Sequence, residues 1–209
     1  MVKVSTRDRL IEAASSRFYR DGFRNVGIDQ ILTDVGISKT AFYKHFESKD
    51  DLLLAALDGK GDWLEGMCKQ VVWERGGGTP EGQLRAIFDL VDIFLAQEDF
   101  HGCFFVRAAM EFPLPNEPVF QAAARNKHTV EEFVTMLAKN CGVKSPEELS
   151  RKLCLIMEGA YVTKHVTQNP GTIDLARELA DLAIDDALRQ AREEADGSSS
   201  GDVSPVSDS

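Results

Sequence analysis

Thr40 and Lys44 lie four residues apart, so on a helix turning about 100° per residue they share a face, with Ala41 and Tyr43 beside them. These side chains suit contact with duplex DNA. A threonine meets a base edge or a thymine methyl, a lysine a guanine or a phosphate, and a tyrosine hydroxyl a phosphate oxygen. Lys39, His45 and Lys49 flank the surface, while Phe42 and Phe46 form the apolar side that must face inward. No comparable arrangement supports catalysis. There is no nucleophile motif and no paired-carboxylate signature, and Gly76-Gly77-Gly78 is not followed by the Gly-Lys-Ser/Thr of a phosphate-binding loop. A non-enzyme without a cofactor is expected.

The elements around this surface have the helical period throughout, so an all-α protein of about nine helices is expected. Ser5 caps a first helix carrying Ile11, Ala14 and Phe18, which Gly22 ends. Ile28, Ile31, Leu32 and Val35 form the apolar stripe of a second helix, which stops at Gly36. After the turn Gly36-Ile37-Ser38 a third short helix spans about Lys39 to Phe46. Ser48, with Asp51 three residues on, caps a long fourth helix through Trp63, Met67 and Val71. Further helices are expected at 80–97, 103–112, 117–140, 146–168 and 172–192. Helix, tight turn, short helix is the helix-turn-helix arrangement, whose second helix enters the major groove.

Charge agrees with this placement. The chain has 209 residues and a formal net charge of −10. Residues 1–49 nevertheless carry nine Lys/Arg against six Asp/Glu, leaving −13 for the rest. A polyanion feels mainly the field of the face turned toward it. No apolar run reaches the ~18 residues of a spanning helix and no signal peptide is visible, so a cytoplasmic protein without membrane contact is expected.

The string Gly36-Ile37-Ser38-Lys39-Thr40-Ala41-Phe42-Tyr43-Lys44-His45-Phe46, followed by Ser48-Lys49-Asp50-Asp51-Leu52, resembles the signature of the TetR (tetracycline-repressor-like) family of bacterial transcriptional regulators. Ala13-Ala14, Phe18, Gly22-Phe23 and Ile28-Asp29-Gln30-Ile31 fall where that pattern has them, so the likeness covers about residues 5–57. It implies base-reading roles for Lys39, Thr40 and Ala41, and phosphate contacts for Tyr43, His45 and Lys49. One departure is Val26-Gly27, where the family has Thr or Ser before the residue matching Ile28; it removes a side-chain phosphate contact and an N-cap, and Asp29 adds negative charge nearby.

Residues 1–48 are thus expected to bind DNA, 49–192 to bind a small effector and to dimerise, and 193–209 to form a disordered tail poor in apolar residues. Trp63, Met67, Phe88, Phe104, Met110, Phe133, Met157 and Tyr161 are the candidates for lining an apolar effector cavity. The negative body favours a neutral or cationic ligand unless a local Arg or Lys reverses the balance. A homodimer is expected because one short recognition helix contacts too few base pairs, whereas two copies read a palindromic operator. Its interface is expected along Leu149, Leu153, Ile156 and Ala160 on one helix and Leu175, Leu179 and Leu182 on the next, paired as a four-helix bundle, which is also the family's habit. The resemblance implies a repressor released by its ligand.

Rival readings use other residues. Cys68, Cys103, Cys141 and Cys154 contain no C-x-x-C pair; Cys103, at the start of a helix, is the candidate for a thiol-responsive regulator. His101, Cys103, His128 and His165 would serve a metal-responsive one, although no pair has recognisable ligand spacing and no metal is expected. A helical small-molecule or protein-binding module without a DNA role is the remaining alternative, with an oxidoreductase or hydrolase a distant third.

Overall fold

The computed structural model describes residues 4–199, with side chains through Glu194. Among them are ten helices and no strand: α1 (Thr6–Asp21), α2 (Ile28–Val35), α3 (Lys39–Phe42), α4 (Lys49–Arg75), α5 (Pro80–Arg85), α6 (Ile87–Leu95), α7 (Phe104–Glu111), α8 (Pro118–Asn140), α9 (Pro146–Thr167) and α10 (Thr172–Ser199).

Caps set the boundaries in the first third. Ser5 Oγ accepts from Asp8 N, Ser38 Oγ from Ala41 N and Ser48 Oγ from Asp51 N, at 3.1, 3.2 and 3.0 Å. Gly36 takes a left-handed conformation, φ 72°, that turns the chain from α2 into α3. At Gly27, which has no side chain to cap with, Gln30 Oε1 instead accepts from the Gly27 backbone N–H at 2.7 Å.

Three expectations are revised. The helix expected at 80–97 is two, α5 and α6, meeting at Ala86; neither Pro nor a capping side chain marks that joint. The recognition helix is regular only to Phe42, after which Lys44 and His45 donate to carbonyls three residues back as the turn tightens. The last helix runs to Ser199, so residues 193–199, expected as disordered tail, are helical; the remainder of that tail, 200–209, lies outside the described residues.

The core does not divide at residue 48. One buried cluster joins Leu10, Phe18, Ile31 and Phe42 to Leu52, Leu53 and Leu57 of α4 and on to Phe104, Phe105 and Ala123 of α7 and α8. A second gathers Val72, Leu84, Phe88, Leu137, Leu153 and Ile184 farther along the body. Polar contacts seal the seam: Glu111 accepts from the backbone N–H groups of Phe23 and Arg24 at 3.1 and 2.8 Å, and Arg24 Nε donates to Glu111 O at 2.6 Å. At about 1.5 Å per residue, the 27 residues of α4 form a rod that places Leu52, Leu53 and Leu57 in the first cluster and Val72 in the second.

Candidate functional site

Phe42 and Phe46 are buried with ring centroids 5.8 Å apart, which pins the inner side of the recognition turn. Lys39, Thr40, Tyr43, Lys44 and His45 therefore stand exposed on the outer side, with Ala41 half-buried among them. Lys49 stands apart from the exposed group. It donates to Arg24 O at 3.3 Å, rests 5.9 Å from the Phe18 ring, and burial pulls its ammonium below the usual lysine range. Asp29 lies 4.0 Å from Lys39 Nζ and offsets part of the head's positive charge.

A cavity of about 110 Å³ opens in the body between α4, α6, α7, α8 and α9. Trp63, Phe104, Phe133, Met157 and Tyr161 line it, as do Phe94, Phe100 and Phe105. Three expected residues do not. Phe88 is packed in the second core cluster, Met110 is 72% exposed beside an outer groove, and Met67 turns aside because Lys60, Leu64, Cys68 and Val72 form the row of α4 that faces the space.

The polar lining was missed in the sequence. Lys127 and Glu158 pair across α8 and α9 through Glu158 Oε1, while Glu158 Oε2 is buried without a partner. Lys60 Nζ sits 3.6 Å from the centroid of the Trp63 ring. Tyr19, from the DNA-reading half, also reaches the cavity. Lys60 was within reach of the helical-spacing argument, one turn before Trp63. Nothing local to Tyr19 marks its destination.

The expected dimer stripe on α9 lies on the wrong face for an interface. Leu149, Leu153 and Ala160 are buried in the protomer's own core and Ile156 packs against it. The face left open on α9 is Leu155, Gly159, Val162 and Val166, and on α10 Leu175, Leu179 and Leu182 are exposed. The reason is register: both α9 stripes have helical spacing, and packing by Ala176, Ala180, Ile184 and Leu188 of α10 selects which one is covered.

The rival sites find little support. Burial raises all four thiols above the usual range, Cys68 up to about 11, the opposite of what a reactive thiolate needs. The rings of His101 and His165 meet edge to face at 6.4 Å while His128 borders the outer groove, and no described group of three His, Cys, Asp or Glu is placed to hold a metal.

An exposed polar recognition turn on a buried aromatic pair, carried by a helical body, defines a helix-turn-helix transcriptional regulator. Residues 10–56 match the model of the bacterial regulatory proteins, tetR family. The chain is 22% identical over 186 residues to the HTH-type transcriptional regulator YjdC of Escherichia coli, covering 89% of this chain and 95% of that one. A TetR-family transcriptional regulator from Streptomyces coelicolor has the same fold, with a TM-score of 0.76, 28% identity, and coverage of 89% and 95% of the two chains. A solved structure from Streptomyces avermitilis aligns at a TM-score of 0.74 with 28% identity, over 86% of this chain and 98% of that one. Residues 10–56 thus match the DNA-binding head of tetR-family regulatory proteins, and the chain as a whole shares the fold of TetR-family transcriptional regulators. No described helix is long and apolar enough to cross a membrane.

Proposed function

We propose that the protein is a cytoplasmic homodimeric repressor that leaves a palindromic operator when a small, largely apolar effector fills the cavity between α4 and α9. Residues 1–48 bind DNA in this reading, and 49–192 hold the effector and the dimer face. The observation that carries it is the aromatic cavity whose wall includes α4 and Tyr19, elements that also belong to the reading head. A ligand that favours one pose of α4 changes the separation of the two recognition helices from the ~34 Å that successive half-sites require. The dimer is supported by the open apolar face of α9 and α10, where Gly159 leaves room for a second helix: a Cβ built there meets nothing in the protomer.

A relative from Mycolicibacterium smegmatis, 38% identical over 66 residues that make up 32% of this chain and 30% of that one, is named the transcriptional activator FasR. Activation is therefore the second reading. Selecting the operator from random DNA and placing it before a reporter tests both. Repression relieved by ligand supports the proposal, and expression that requires the protein overturns it. Binding to random duplex that does not weaken as salt rises would remove the DNA role, because phosphate contacts release counterions.

A further inference from the structure

Three side chains at the cavity carry formal charge, and two of them cancel: Lys127 is paired with Glu158. The third, Lys60, is on the wall without an ion-pair partner. No described carboxylate lies within 4.0 Å of its Nζ, and its neighbour is the face of Trp63. Burial pulls the ammonium below the usual lysine range, opposed by the more distant Asp99. Within the inner cavity the balance is therefore one positive charge without an ion-pair partner, although Asp99 borders the cleft in front and the body as a whole is negative. Local charge decides at a half-buried mouth, because surface charges beyond about 8–10 Å are screened by salt.

The space around Lys60 has two compartments. Behind it is the apolar cavity of about 110 Å³; in front is a polar cleft of about 230 Å³ lined by Ser15, Ser16, Arg20, Asp99 and His101. Tyr19, Lys60, Gln97 and Phe104 border both. An apolar cavity of about 150 Å³ holds a benzene ring, so the inner compartment is on the scale of one ring and the outer one has room for a polar substituent.

We propose that the effector is a small monoanionic aromatic acid, its ring in the inner cavity and its carboxylate paired with Lys60 at the mouth. This rests on the cavity being the effector site and adds the ligand's charge and orientation. A cationic ring would face two lysines against one glutamate, and a neutral ring would cover Lys60 without giving it a counter-ion. A carboxylate on Lys60 also lies in the cleft walled by α1, so the charged end of the ligand meets the DNA-reading half directly.

The test is a titration of the full-length protein with phenylacetate, benzyl alcohol and benzylamine at pH 7, read by Trp63 fluorescence in a Trp73→Phe background. Phenylacetate is expected to bind about tenfold or more tightly than the other two, and Lys60→Met to remove that preference while leaving benzyl alcohol affinity unchanged. Lys60→Arg should restore the preference, and a melting temperature equal to the parent's shows that Lys60→Met is folded. Alcohol or amine binding as tightly as the acid would overturn the proposed charge and leave the cavity reading standing. An acid affinity indifferent to Lys60→Met would do the same. Silence from all three compounds in both fluorescence and melting temperature would overturn the effector-site reading, and this proposal with it.

Discussion

Tyr19 Oη donates to Gly102 O at 3.0 Å and accepts from the backbone N–H of His101 at 2.9 Å, tying α1 of the reading head to the loop that opens α7. Arg107 donates to Tyr19 O, so the same residue is held from both ends. Gly102 and Tyr19 both border the cavity, so a ligand touches this tie directly. Tyr19→Phe removes both hydroxyl bonds, at about 1 kcal/mol each, and leaves the ring in place. Ligand affinity measured without DNA should hardly change, while the factor by which operator and ligand weaken each other should fall several-fold toward one. An unchanged factor would place the coupling in α4 alone.

On the DNA side, Tyr43→Phe should weaken binding to all sequences by similar factors, since a phosphate contact positions without reading. Thr40→Ala should change preference at particular operator positions by about 1–3 kcal/mol, measured by competition among single-base operator variants. Lys49→Ala should lower the melting temperature as well as affinity, because its ammonium is bound to Arg24 O inside the head. A loss of affinity with no loss of stability would return Lys49 to the exposed contact set.

Asp29→Asn should strengthen binding to operator and random duplex alike. It takes a negative charge from within 4.0 Å of Lys39 on an exposed face, and the effect should shrink as salt rises. A gain confined to one operator sequence would mean that Asp29 reads a base.

At the dimer face, Leu155→Glu and Leu179→Glu should give helical monomers in sedimentation, because both side chains are exposed, 75% and 46%. Leu153→Glu should unfold the protein instead: the position is 0% exposed, and an unpaired charge there costs roughly 4 kcal/mol or more. Dimers that persist in both surface variants would move the interface off α9 and α10.

Thiol reactivity should be low. With Cys68 pushed up to about 11 and the other thiols raised by burial, little thiolate exists near neutrality. Iodoacetamide should label the native protein about tenfold or more slowly than the denatured chain, accelerating as pH climbs through the raised values. Peroxide should leave operator binding unchanged, and operator release by peroxide would revive the thiol-responsive reading.

The reading head was legible in the sequence because its determinants are local. Ser38, Gly36, Phe42 and Phe46 fix cap, turn and inner face within eleven residues, so Thr40, Tyr43 and Lys44 can face only outward. The rest of the chain shows periodicity without partners, and periodicity cannot say which neighbour covers a stripe. On α9 the stripe through Leu153 and the one through Leu155 satisfy the helical period equally well; contact with α10 buries the first and leaves the second open. Phe88 and Phe133 are likewise both apolar residues on helices, yet one fills the core and the other borders the cavity. The orphaned oxygen of Glu158 and the meeting of Tyr19 with Gly102 across 83 positions depend on contacts remote in sequence, which only the tertiary structure decides.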